Sequence, residues 1–117
     1  MARYEIMVLS NPVAGREAEF NAWYTGTHIH DLLKCPGVIS AQRLKAVEAQ
    51  SPNAAQRYVA RYEVETDDLA ATMALVQGRL GGPHMPMSDA FDMASAVFLV
   101  VEPVTEKIAE SVKVAAE

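Results

Sequence analysis

Cysteine is scarce in this chain: Cys35 is the one thiol in 117 residues. That excludes an intrachain disulfide and any cysteine-rich metal site, and it suits a reducing compartment. Cations are also in short supply, with 10 Lys and Arg against 15 Asp and Glu, a formal charge of -5 and a pI near 5.1. Nucleic-acid binding relies on clustered Lys and Arg. The basic residues here are scattered, so no nucleic-acid partner is expected. No apolar run approaches the roughly 18 residues that span a bilayer. The opening MARYEIMVLSNP lacks the charged, apolar and cleavage regions of a secretory leader. The expectation is a cytoplasmic protein with no membrane partner. Gly-rich phosphate loops, nucleophile elbows and Walker patterns are missing as well, which leaves nucleotide chemistry without a footing.

What is present is an ordinary globular composition, 50% hydrophobic and 21% charged. It is enough to build a core in one domain. Residues 3 to 9 alternate apolar and β-branched side chains as a strand, and beyond Glu5 both alternating sets are apolar. A turn at Asn11, Pro12 and Gly15 leads to a helix whose Ala18, Phe20, Trp23 and Tyr24 recur at the spacing of one buried stripe. Gly26 weakens that helix, and Thr27 offers an N-cap for a second short turn, HIHDLLK. A kink or break is expected near Thr25 to Thr27, and Pro36-Gly37 stops the turn. Residues 38 to 47 read as a strand with Ile39, Ala41 and Arg43 on one face and Val38, Ser40, Gln42 and Leu44 on the other.

After a polar loop, residues 57 to 65 set Tyr58, Ala60, Tyr62 and Val64 on a single face. Thr66, Asp67 and Asp68 cap a second helix carrying Leu69, Met73, Val76 and Leu80, which Gly81-Gly82 ends. The proline-interrupted segment 83 to 92 is rich in Met and Phe and reads as a lid over something apolar. Residues 93 to 103 form a last strand, apolar on both faces and expected at the centre of the sheet. The domain ends there, and 104 to 117 is a tail with a weak helical pattern.

The order β-α-β-β-α-β gives an α+β, ferredoxin-like four-stranded antiparallel sheet with two helices on one face. Two helices cover one side of that sheet, while the first and last strands are apolar on both. A homodimer through the bare sheet faces is therefore expected, because soluble monomers rarely expose so large an apolar patch.

The stretch WYTGTHIHDLLKCPGVISAQR, residues 23 to 43, joins Trp-Tyr, a short spacer, His, an acidic residue, Pro-Gly and a strand with Ala and Arg. It resembles the dimeric α/β-barrel superfamily, and within it the EthD-like branch. The resemblance implies two ferredoxin-like subunits that pair their sheets, each with a pocket between helices and sheet. It also implies that Trp23, Tyr24, His28 and Arg43 face or border that pocket. The sequence departs from the pattern at His30, where relatives often carry proline. The superfamily holds monooxygenases, cyclases, isomerases and haem-degrading enzymes, so membership implies no single activity.

His28 lies four residues after Tyr24 and three before Asp31, spacings that share one face of a continuous helix. An imidazole oriented by a carboxylate can accept and return a proton; the bland alternative is a local hydrogen-bond bridge. His30 points away from His28 on a helix and suits a solvated surface, so no metal site is expected. Arg43 would hold a carboxylate, phenolate or enolate, or else pair with Asp31 or a glutamate. Tyr24 and Tyr58 offer hydroxyls, and Trp23 and Phe91 walls, for a planar ligand; all four suit plain core equally. His84 and Met85 in the PHMPM loop are candidate ligand contacts, against the alternative of an ordinary loop.

These residues point to a cofactor-independent enzyme. It would carry out acid/base chemistry (isomerisation, cyclisation or lysis) on a small apolar oxygenated or aromatic metabolite, with His28, Tyr24, Asp31 and Arg43 catalytic. A non-catalytic small-molecule-binding or accessory protein of a degradation pathway is the alternative. A cofactor-free or haem-using monooxygenase is a further one.

Overall fold

The computed structural model describes residues 1–110. Its elements are β1 (Ala2–Ser10), α1 (Glu17–Trp23), a π-helical turn (Tyr24–His28), α2 (Ile29–Leu33), β2 (Val38–Lys45), β3 (Tyr58–Thr66), α3 (Leu69–Arg79) and β4 (Val97–Val101). All pairings are antiparallel, in the order β2-β3-β1-β4. This is the ferredoxin-like sheet that the element order implies. Among the described residues, no helix is long and apolar enough to cross a membrane.

Period-two alternation decides the core. Ile6, Val8 and Ser10 of β1 lie in register with Tyr62, Ala60 and Tyr58 of β3, and all six are buried. Phe20, Tyr24 and Leu32 from the helical arm and Val76 from α3 close over them in one cluster. Fully burying a side chain such as Phe20 stabilises by about 1.5–3 kcal/mol. Ala18, expected in the same stripe, is exposed. The α3 N-terminus follows its cap: Asp68 Oδ1 accepts from the Ala71 amide at 3.0 Å.

Two strands depart from the expectation. β2 carries a bulge between Val38 and Ser40, so Val38, Ala41 and Arg43 share the inward face while Ile39 is exposed. One extra residue shifts the alternation by a step, which no period-two reading detects. The last strand is confined to Val97–Val101 and lies at the sheet edge, paired only with β1. Apolar side chains on both faces report what seeks cover, and they say nothing of how many neighbours a strand has. The described part of the tail, 104 to 110, has no helix or strand, and the rest of the expected helical tail, 111 to 117, lies outside the described residues.

Gly37 joins α2 to β2 with φ +95°, and a Cβ there would meet Thr72 Cγ2 of α3 at 3.3 Å. Its carbonyl accepts from the Glu65 amide at 2.8 Å, so the backbone is held from both sides. Gly37→Ala is expected to lower stability by about 1–3 kcal/mol. Urea unfolding should show this as a lower midpoint at unchanged slope.

Candidate active site

The arm from residue 17 to 33 does not break at Gly26. It stays helical through a single π turn, and Thr27 caps nothing: no side-chain cap is made at the start of α2. The wider turn absorbs one extra residue. In an α-helix, residues five apart point roughly 140° away from each other. Here the Trp23 and His28 rings stack instead, with centroids 4.6 Å apart and planes at 23°. Tyr24 meets His28 edge-on at 5.0 Å, so indole, phenol and imidazole form one block.

Beneath that block, between the arm, α3 and the sheet, lies a cavity of about 360 Å³. Its walls are apolar, with Ile6, Val8, Val76, Phe91 and Phe98 among them, and its polar members are Tyr24, His28, Tyr62 and Gln77. Among the described residues, no Lys, Arg, Asp or Glu lines it. Tyr24 Oη, Tyr62 Oη and His28 Nδ1 are buried, and no described residue hydrogen-bonds them. Buried polar atoms are normally paired, so three on residues that line one cavity mark a place built for something else. The two phenol hydroxyls interact with each other closely enough to shift each other's titration as hydrogen-bond partners do, although the contact falls short of full hydrogen-bond geometry.

Burial dominates the electrostatics. It pushes His28 from 6.5 down to about 4, while the Asp31 carboxylate pulls weakly the other way. The ring is therefore neutral at pH 7. Burial raises both Tyr24 and Tyr62; their mutual interaction lowers Tyr24 and raises Tyr62 further, the Arg43 cation opposes both weakly, and both stay protonated.

The other sequence candidates divide around this centre. Arg43 does not line the cavity; it stands behind Tyr24, its guanidinium 4.5 Å from the ring centroid. It donates to Thr25 Oγ1 at 2.8 Å and to Asn21 Oδ1 at 2.9 Å, and pairs with neither Asp31 nor a glutamate. Asp31 makes no hydrogen bond to His28, and its buried Oδ2 is also without a partner. Trp23 backs the imidazole and donates from Nε1 to the Pro86 carbonyl at 3.2 Å. Tyr58 is placed under α1, where its hydroxyl donates to Glu17 and accepts from Asn21 Nδ2 at 3.1 Å. Met85 is core, fully buried but outside the cavity lining, and His84 and His30 are exposed.

The expected lid is a strapped wall. Val13 donates to the Ala90 carbonyl at 2.7 Å, Asp92 to that of Asn11 at 3.1 Å, and Arg16 pairs with Asp89 at 2.7 Å. Phe91 is the member of that segment's named candidates that reaches the cavity. Tyr62 went unrecognised, although it shares a strand face with Tyr58; the available signal was its place at the middle of the fully apolar inward set. Among the described residues no group of three His, Cys, Asp or Glu is placed to hold a metal ion.

The buried imidazole makes stability depend on pH. The unfolded chain takes up this proton near 6.5 and the folded chain only near 4, so stability is full above the first value and declines as pH falls toward the second. The loss is on the order of 3 kcal/mol at 1.4 kcal/mol per pH unit. Thermal melts between pH 7 and 4 should show it as a difference between the wild type and His28→Gln, which has no such titration.

No protein-family model and no curated protein matches the chain. Solved structures do. A candidate monooxygenase from Shewanella loihica PV-4 is 12% identical with a TM-score of 0.58, covering 89% of this chain and 96% of its own. An ethyl tert-butyl ether degradation (EthD) family protein from Bacillus halodurans C-125 is 14% identical, TM-score 0.52, covering 88% and 99%. A MhuD mutant with two manganese protoporphyrin IX bound per active site is 18% identical, TM-score 0.56, covering 92% and 99%. The resemblance read from residues 23 to 43 thus holds at the level of the fold: this chain has the ferredoxin-like α+β fold of EthD-family proteins.

Proposed function

We propose that this protein is an acid/base enzyme acting on a small, apolar, oxygenated molecule, with His28 as the proton carrier. The observation that carries the reading is the set of three unpartnered polar atoms, on His28, Tyr24 and Tyr62, around one apolar cavity. A neutral imidazole is in the right state to take a proton from an acidic C–H or O–H. Burial makes its conjugate acid strong, so the proton returns readily, at another position in an isomerisation or cyclisation. Arg43 touches no cavity space and acts through Tyr24, as a positioning residue.

A monooxygenase reading draws on the fold neighbour from Shewanella loihica and would appear as oxygen uptake with substrate. Haem fits this chain's cavity poorly. A porphyrin carries two carboxylates, and no Arg or Lys lines the walls to meet them.

The same proposal includes a homodimer joined sheet to sheet. Leu99, Val97 and Val101 of β4 and Leu44 of β2 are 46%, 38%, 38% and 37% exposed on the side away from the helices. Light scattering on the eluting protein should give twice the chain mass, and Leu99→Asp should shift it toward the monomer. A stable wild-type monomer at micromolar concentration overturns the dimer.

Proton transfer is tested without knowing the substrate. With 2-tetralone, a neutral bicyclic ketone, in deuterated buffer, His28 would take an α-proton to leave the enolate and return a deuteron from solvent. NMR should show exchange above buffer, reduced about a hundredfold or more in His28→Ala. The acid limb of kcat/KM should fall near pH 4 rather than 6.5. Exchange no faster than buffer, or undiminished in a folded His28→Ala, refutes the reading.

A further inference from the structure

Two phenols lie together in the cavity wall. Tyr24 is 1% and Tyr62 0% exposed, and apart from each other no described residue bonds their hydroxyls. They come from unrelated elements, Tyr24 from the π turn and Tyr62 from the middle of β3, and they converge within reach of each other's field. Both remain protonated at neutral pH, so each carries a donor on a side chain that lines the cavity. Behind Tyr24 the Arg43 guanidinium lies over the ring face at 4.5 Å, held by Thr25 and Asn21. The cavity walls carry no formal charge.

The absence of charge is as informative as the donors. Moving a carboxylate from water into such walls costs several kcal/mol, and no cation here repays it. A neutral hydroxyl or carbonyl oxygen costs far less and can be repaid by two O–H donors. A ligand with no oxygen leaves both phenols stranded, which is the arrangement that gives strong discrimination between analogues.

We infer that Tyr24 and Tyr62 form a paired hydroxyl clamp for the oxygen of an uncharged keto or hydroxy aromatic ligand, and that the cavity selects against carboxylates. The inference rests on the cavity assigned above and deepens it by naming the ligand class and two specificity residues.

Three probes of one shape separate the possibilities: naphthalene, 2-naphthol and 2-naphthoate, the last ionised at pH 7. Their dissociation constants are read from ligand fluorescence on the full chain. The clamp requires 2-naphthol to bind about fivefold or more tighter than naphthalene, and naphthoate to bind weakest; one hydrogen bond is worth about fivefold. Tyr62→Phe and Tyr24→Phe, each isosteric but for the hydroxyl, should bring 2-naphthol close to naphthalene with naphthalene unchanged. Having two variants keeps the test open if one fails to fold. Naphthoate binding tightest, 2-naphthol no better than naphthalene, or a preference lost only in His28→Gln overturns the clamp. Binding is read without turnover: failure of the exchange assay leaves this result standing, and an active enzyme indifferent to the naphthol oxygen would sink the clamp alone.

Discussion

One extra residue in a helical turn holds the site together. In a regular α-helix Trp23 and His28 would diverge; the π turn stacks them and turns Tyr24 against both. The turn is fixed on both flanks. Arg43 reaches up from β2 to Asn21 and Thr25, and the Trp23 indole is tied to the Pro86 carbonyl. Gly26 sits inside the turn with open space around it. The helix runs through this glycine without a break.

From that constraint follows the electrostatic character of the cavity. A ring packed between an indole and a phenol has little water around it, so its charged form is disfavoured despite the nearby Asp31 carboxylate. The same dryness keeps both phenols protonated. Arg43 escapes part of the penalty by lying over three aromatic rings, Phe20, Tyr24 and Tyr58, rather than against a carboxylate. The fold thus separates its cation from its ligand space by one phenol ring. The clustered residues of 23 to 43 do not all converge on one volume.

Much of this was legible in the amino-acid order. The strand faces of β1 and β3, the Asp68 cap, the Pro36-Gly37 stop and the burial of Tyr24 follow from local chemistry, while the place of His28 at the pocket follows from the family resemblance. What was hidden depends on a missing or added residue, or on distance. The β2 bulge and the π turn each change phase by one step, and no residue type marks a phase change. The roles of Tyr58 and Tyr62 diverge because Glu17 and Asn21 happen to stand over one and a cavity over the other. Sequence patterns assign faces; partners across the interior are a tertiary fact. β4 misled for a related reason, since it is apolar on both faces and yet lies at the edge of the sheet.

The cavity's chemistry also sets a stability cost that only a ligand oxygen or water can offset. A buried polar group without a partner costs about 1–3 kcal/mol, and three of them are a large share of the 5–15 kcal/mol that holds a typical domain folded. A cavity of this size admits water, which any ligand has to displace. An apolar molecule of the right shape would expel that water and return nothing for it. An oxygenated one replaces it, keeps the hydrogen bonds and adds the contacts of the walls. The same three atoms that make the site expensive to fold therefore make it selective. A wholly apolar lining would have given a more stable protein that could not distinguish its ligand from oil.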